Sequence, residues 1–360
     1  MTLQQLNEAG YSQTEKELKK FYGMMSKEYK TALDNIRAEL QGIYNKITGD
    51  RSPAQVAALL KDNPAWLFTE AMKFDRLTGL QRSIQTEYMA ASIKAANMTV
   101  EASKLAITNS FYKQRYALTF ASPVKLSFAV LNPKVVEISV LGSPKVWKGI
   151  AKAAKEAAEK KYGDLTKYQA KHGTLTDVIL SNRQKDLQKI QSVITQNLIQ
   201  GKGYGSAAKE VKAILNTTAS NAARIVRTES ARNMNAGAYA SHRTAQAQGL
   251  DVKRQILSVL DDRTRQQSQE VDTRFEDDDG FFHYPGGLLV DYPGNSGVAA
   301  YDINDRETVI EVVDGQSSDQ RRGRNPETGK NEVMDFKDYE SWAKSNGMRQ
   351  NASGRWVYKG

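Results

Sequence analysis

The sequence predicts a mainly α fold: an extended helical N-terminal region followed by a small α+β C-terminal module. Three observations carry this reading. Apolar residues recur at helical spacing over much of the first 250 residues, β-branched runs and Pro-Gly turns cluster after Asp251, and the charge changes sign there.

From Tyr11 to about Ile47, residues such as Leu18, Met25, Tyr29, Leu33, Ile36, Leu40 and Tyr44 fall at helical intervals with Lys and Glu between them. This is the pattern of a long amphipathic helix. Ser52-Pro53 starts a second helix with Pro in its first turn, and Asn63-Pro64 starts another that runs toward Ser110. Between Ala117 and Trp147 the texture turns β-branched, and the runs Val124–Val130 and Val135–Leu141 are expected to pair as a hairpin. Helical pattern resumes over Lys148–Lys161 and Leu175–Gln200. The Gly201-Lys-Gly-Tyr-Gly stretch follows a helix and lacks a Gly-Lys-Ser ending, so it reads as a helix–helix turn rather than a phosphate loop. A helix over Ser206–Leu215, an N-cap at Thr217 or Thr218 and a long helix stopped by Gly249 complete the helical part. Beyond it, Val252–Val259 and Thr308–Val313 are the best strands, Tyr284-Pro-Gly-Gly and Tyr292-Pro-Gly-Asn are turns, and Gln316–Lys330 reads as a flexible loop.

The 360 residues, 40% hydrophobic and 26% charged, suffice for two or three ordered domains. The expected boundaries are 1–115 (helical), 116–174 (mixed), 175–320 (α+β module) and 321–360 (tail). The absence of cysteine excludes disulfides, a cysteine nucleophile and thiolate metal sites, and with three histidines a zinc site would need carboxylates. No run of eighteen apolar residues occurs, and the start of the chain lacks a signal-peptide pattern. A protein made and used in a cytoplasm, with no membrane partner, is expected. The net charge of +10 divides into about +16 over 1–250, about −10 over 251–319 and about +4 over 320–360. A basic body thus carries an acidic module, and the basic excess suits phosphates or an acidic protein ring as readily as ordinary solvated helix faces.

The most informative stretch is Arg224-Ile-Val-Arg-Thr-Glu-Ser-Ala-Arg-Asn-Met-Asn. On a helix it sets Glu229 and Asn233 in an apolar stripe with Ala222, Ala236 and Ala240. A buried Glu must be paired or lose its charge, so an arginine is expected to reach Glu229. Arg263 and Arg265 are the obvious suppliers, with Arg232 or Arg243 on the same helix as the alternative. The favoured role is a structural polar network that docks the helix on the strands, in preference to a catalytic Glu. The acidic run beginning at Glu276 has consecutive Asp residues that cannot all face one ion, so it reads as a solvated loop with no metal. His172, His242 and His283 sit in no hydrolase motif, and no catalytic residue is assigned.

The order of these signals resembles the minor head (head morphogenesis, Mu F-like) family of tailed bacteriophages. Its members carry a helix with Arg-x-x-Arg-Thr-Glu followed by Asn, then a strand ending in Asp-x-Arg-Thr-Arg. Here these are Arg224, Arg227, Thr228, Glu229 and Asn233 or Asn235, then Asp261, Arg263, Thr264 and Arg265. Tyr292-Pro-Gly-Asn, Ile303-Asn-Asp-Arg-Glu-Thr-Val and the ending Asn325-Pro-Glu-Thr-Gly-Lys with Asp338–Trp342 are similar to later family features. The resemblance covers roughly 175–345. Where the family often has His and two Cys, this sequence has Ser268, Asp305 and Glu307, which removes the soft ligands of a zinc site; Asp305 and Glu307 are expected instead to pair with Arg263 or Arg265. The resemblance implies a virion protein of the phage head, present in the host cytoplasm during assembly and needing no cofactor. Its implied partners are the portal protein, the major capsid or scaffolding protein and, in one reading, double-stranded DNA. Rival readings are an ADP-ribosyltransferase-like enzyme, for which Arg254, Glu307 and Glu311 are the candidate residues, and a DNA-binding internal protein ejected with the genome.

Overall fold

The computed structural model describes residues 3–73, 76–121, 131, 136, 175–202, 204–313 and 320–358. The architecture is mainly α with small two-stranded sheets confined to the C-terminal region. The hairpin expected over 124–142 and the helix over Lys148–Lys161 lie outside the described residues, apart from Leu131 and Val136. The chain forms two compact units, one of Lys19–Val100 with Thr176–Ile225, the other of Met1–Leu18, Glu101–Leu175 and Val226–Gly360.

The first of these units is helical among its described residues. It holds most of α1 (Leu3–Thr48), then α2 (Pro53–Asp62), α3 (Trp66–Lys73), the start of α4 (Arg76–Ala121), α5 (Leu175–Ile199) and the start of α6 (Tyr204–Gln246). The apolar stripe read from the sequence is the buried one: Met25, Tyr29, Leu33, Ile36, Leu40 and Tyr44 are buried, as are Leu80, Ile84 and Tyr88 on α4 and Ile190, Ile194 and Leu198 on α5. Ser52 caps α2 in a reciprocal capping box with Gln55. Between α5 and α6, Gly201 has φ +62° and Lys202 N donates to Asn197 O at 2.9 Å, a Schellman ending. A Cβ on Gly201 would lie 2.6 Å from Pro64 O, so both conformation and space require glycine there.

One expectation is corrected here. No cap divides α6 at Thr217 or Thr218, because both hydroxyls donate to the carbonyls four residues back, Ala213 O and Ile214 O, each at 3.0 Å. Bonded this way, a threonine sits comfortably inside a helix. The helix ends where Gly249 was expected to stop it, with φ +84° and Leu250 N donating to Ala245 O.

The other unit sets the C-terminal halves of α4 and α6 with the strands. β1 (Val252–Leu257) pairs antiparallel with β4 (Thr308–Val313), bringing Val252 opposite Val313 and Arg254 opposite Glu311. β2 (Phe282–Tyr284) and β3 (Leu288–Val290) form a hairpin over Pro285-Gly286-Gly287, both glycines at positive φ. The segment read as a flexible loop instead contains β5 (Gln320–Arg324), paired with β6 (Asn331–Asp335); residues 314–319 lie outside the description. Short helices α7 (Gln266–Val271), α8 (Ala299–Asp302) and α9 (Tyr339–Ser345), and the ribbon β7 (Met348–Gln350) with β8 (Trp356–Tyr358), complete the unit. Its apolar clusters are small. One joins Ile107 and Phe111 of α4 to Ala236, Tyr239 and Ala240 of α6 and to Tyr292; another gathers Ile256, Val271, Phe282, Val290 and Val309.

The α4–α6 approach in that first cluster turns on Gly237, where an added Cβ would lie 2.3 Å from Ile107 O and 3.0 Å from Phe111 N. Gly237→Ala is expected to cost about 1–3 kcal/mol and to lower the Tm by several degrees. Gly23→Ala, on α1 with nothing within 4 Å, should leave the Tm unchanged or raise it. Equal thermal scans for Gly237→Ala and wild type would show that the helices do not meet there.

Candidate functional site

The C-terminal half of α6 carries the polar residues of the Arg-Thr-Glu motif into this unit, where the segments that follow β1 and β3 meet it. Glu229 takes its arginine from its own helix: Arg232 Nε and Nη2 donate to Glu229 Oε2 at 3.1 and 3.0 Å. The expectation that Arg263 or Arg265 reaches Glu229 is therefore corrected, and the alternative at Arg232 holds. The reason is geometric, since residues three apart face each other on a helix and the local partner costs no loop ordering. Arg243, the other alternative, is exposed and bonds Gln246. Arg232 is fully buried under the Tyr292-Pro-Gly-Asn turn, where a Cβ on Gly294 would lie 3.2 Å from Arg232 Cα and Cβ. Burial opposes the guanidinium charge, but Glu229 and Tyr292 outweigh it and hold the Arg232 pKa above its ordinary value.

The neighbouring motif residues fasten α6 to the strand module. Asn233 Nδ2 donates back to Glu229 O at 2.7 Å, while Asn235 Nδ2 donates to Pro293 O at 3.2 Å and Glu307 O at 2.9 Å. Thr228 Oγ1 accepts from Asn304 N at 3.0 Å, and Asn304 holds the left-handed conformation that asparagine tolerates, φ +55°. Arg224 is exposed, and so is Arg227.

After β1, Asp261 becomes a hub. Arg306 grips it with both Nη atoms at 2.6 and 2.9 Å, Arg263 Nη2 donates at 3.2 Å, and the Thr264 hydroxyl donates at 3.0 Å. Burial pushes against ionisation of this carboxyl, but Arg306, Thr264 and Arg263 bring it down to about 2. Arg265 turns the other way. Its guanidinium donates to Ala300 O and Tyr301 O at 2.6 and 2.7 Å, closing the end of α8, and reaches Asp305 Oδ1 at 3.3 Å. Of the expected strand staple, then, Arg265 meets Asp305, Arg263 goes to Asp261, and Glu307 accepts from the Tyr284 hydroxyl. Asp305 and Glu307 are both buried; burial and their mutual repulsion hold the Asp305 pKa well above the ordinary range, and burial raises that of Glu307. Ser268, Asp305 and Glu307 stand at the positions where the resemblance sets His and two Cys. A hydroxyl and two carboxylates already committed to Arg265 and Tyr284 do not fit zinc, and among the described residues no metal-binding cluster occurs.

Two further arginines take structural roles that the sequence reading did not give them. Arg254 on β1 is buried and binds Glu276 through Nε at 2.8 Å, Gly280 O at 2.7 Å and Asp291 O at 2.6 Å, with Tyr239 stacked on it at 4.6 Å. Glu276 was read as part of a solvated run. Asp278 and Asp279 after it are exposed and Asp277 is half-buried, while Glu276 itself faces inward; His242 Nε2 lies 3.2 Å from its Oε1 and His242 Nδ1 lies 3.7 Å from Glu311 Oε1. Burial would lower the His242 pKa, but these two acids outweigh it and raise it. Burial likewise opposes ionisation of Glu276, yet His242 and Arg254 take it down to about 2. Arg321, from the segment read as a loop, is buried against Asp272 at 2.8 and 2.9 Å and donates to Ser258 O. The missed signal was strand alternation, which turns Arg254 and Arg321 inward.

The open part of the site is a cleft of about 610 Å³ lined by Arg227, Arg263, Arg265 and Arg306 with Val259, Thr264, Ser268, Asn304 and one acid, Glu307. Its chemistry is that of an anion receptor, with guanidinium groups facing solvent and carboxylates beneath them.

Glu229→Ala would leave Arg232 buried without its acid and is expected to cost about 3–5 kcal/mol, read as a large fall in Tm; Arg232→Met combined with Glu229→Leu should recover part of it. An unchanged Tm in Glu229→Ala would show that the pair does not anchor the helix. The pH dependence follows from the depressed acids. Asp261 and Glu276 have folded pKa values of about 2, below their ordinary 3.8 and 4.5, so their stabilisation is present above those ordinary values and is lost as pH falls toward 2. Thermal scans should show wild type losing Tm between about pH 4.5 and 2, with a shallower decline in Asp261→Asn. Parallel curves would remove Asp261 from the account.

Comparison with known proteins places this geometry. The profile of the family described as Phage Mu protein F like protein matches residues 188–287, from within α5 through β2 and the turn that follows it. Minor head protein GP7 of Bacillus phage SPP1 is 30% identical over 171 residues, which make up 48% of this chain and 55% of GP7. The NAD(+)–arginine ADP-ribosyltransferase EFV of Enterococcus faecalis is 32% identical over 166 residues, 46% of this chain and 33% of that protein. The chain therefore spans between a third and about half the length of these relatives. No solved structure matches it. Residues 188–287 are thus similar to the family described as Phage Mu protein F like protein, and over about half its length the chain is similar to a phage minor head protein.

Proposed function

We propose that this chain is a minor component of a phage head that binds the portal ring and the inner shell, built of major capsid or scaffolding protein, during procapsid assembly in the host cytoplasm, and that it contacts packaged DNA. The observation that carries the reading is the Mu F-like match over residues 188–287, beside the likeness to a protein named for its place in a phage head. The charge distribution supports it, since a body of about +16 over residues 1–250 suits an acidic ring or DNA as partner.

The transferase reading has the Enterococcus relative in its favour, but the residues it would use are closed off. Arg254 and Glu311 lie opposite each other across β1 and β4, are 1% and 3% exposed, and are engaged with Glu276 and Gln114. A nicotinamide cofactor needs such groups at an open edge.

Co-expression with the portal protein encoded in the same genome, followed by affinity purification at low and high salt, tests the reading. A complex that forms at low salt and weakens steeply toward about 200 mM is expected. Failure to form one at either salt, or transfer of ADP-ribose from NAD by the purified chain, would overturn it.

A further inference from the structure

The arginine-lined cleft is not used up by the packing around it. Its four guanidinium groups come from three places: Arg227 from α6, Arg263 and Arg265 from the turn after β1, and Arg306 from the approach to β4. The acids that face them, Asp261, Asp305 and Glu307, are 2–3% exposed; of the three only Glu307 lines the cleft, and it accepts from the Tyr284 hydroxyl. The arginine side chains lie above, Arg263 67% exposed, Arg306 and Arg265 about a third exposed, and Arg227 open to solvent.

The charges do not balance. Asp261 serves two arginines at once, and Arg306 takes the better geometry, two bonds under 3 Å against one of 3.2 Å from Arg263. Arg263 therefore keeps most of its donors for solvent. Arg265 spends donors on the carbonyls of α8 and meets Asp305, while Glu307 accepts from Tyr284. Arg227 meets no carboxylate among the described residues. Burial and mutual repulsion raise the pKa of Asp305, and burial that of Glu307, which reduces the negative charge that pair presents. What faces the cleft is a positive surplus with two exposed guanidinium groups in front and two ion-paired ones behind.

We propose that this cleft is a phosphate-binding site, with Arg227 and Arg263 as direct ligands and Arg265 and Arg306 as the fixed charge behind them. Phosphate suits it better than an isolated carboxylate, because several oxygens can be shared among forked donors approaching from different elements. The phosphate group belongs either to a nucleic-acid backbone or to a free phosphate. The backbone source rests on the head-protein reading above; the binding chemistry does not.

The test uses the full chain with three probes: inorganic phosphate, a duplex of about 20 base pairs and polyglutamate. Inorganic phosphate should raise the Tm of wild type, and the rise should vanish in Arg227→Ala/Arg263→Ala. It should persist in Lys209→Ala/Lys212→Ala, a control that removes the same charge from an exposed stretch of α6. Arg227→Ala alone, which breaks no hydrogen bond or ion pair within the described residues, should show about half the effect and guards against misfolding of the double variant. With the duplex between about 50 and 200 mM salt, the double arginine variant should bind at least about tenfold more weakly, and the slope of log affinity on log salt should flatten by about two. That result assigns the site to a nucleic-acid backbone. Loss of the phosphate response with duplex binding unchanged assigns it to free phosphate. A wild type indifferent to phosphate, a response that survives in the arginine variants, or stronger stabilisation by polyglutamate than by phosphate would overturn the proposal. None of these readings requires the portal, so failure here and failure of the assembly role are separate results.

Discussion

A guanidinium taken out of water must find acceptors for its donors, and Arg232, Arg254 and Arg321 impose that requirement on the whole β-containing unit. Each draws its acceptors from a different set of segments. Arg254 gathers Glu276, Gly280 and Asp291 around β1; Arg321 gathers Asp272, Ser258 and Lys337 around β5; Arg232 takes Glu229 on α6 and lies under the Gly294 turn. Isolated two-stranded ribbons are marginal in water, and the apolar clusters here are small. The arginines make the arrangement specific, because in any other register each would be a buried charge without a partner, at a cost of several kcal/mol.

The helices were legible in the sequence because a 3.6-residue period repeats many times within one element, and the caps at Ser52 and Gly249 are local chemistry. Thr217 and Thr218 misled because a hydroxyl satisfies a helix interior by bonding backward as readily as it satisfies a cap by bonding forward. In the β-containing part the period is two and the strands are three to six residues long, so a single inward charge leaves little trace in composition. Glu276 is the case in point. It opens a run of acids and shares their composition, yet its backbone N–H bonds Arg254 O, which turns its side chain inward while Asp278 stays fully in solvent.

The Arg263-Thr264-Arg265 triplet shows how the same alternation divides labour. Thr264 points inward to Asp261 and Arg265 folds over α8, while Arg263 stands out beside the cleft. The sequence motif marks the position of the network; which of its arginines is structural and which is available follows only from the turn geometry after β1.

Asp272 carries a consequence in time rather than in space. Its carboxylate accepts from Ser258 nearby, but its remaining partners are Arg321 and the backbone of Tyr339, 49 and 67 residues further along the chain. While those residues are still inside the ribosome, the acid has no counter-charge and stays hydrated, so the segment between β1 and β2 cannot dry out and close. The set of partners around Asp272 is therefore complete only when the chain as far as Tyr339 is present. A nascent chain stalled before that point presents an unfinished face to chaperones and proteases, however complete its helices already are.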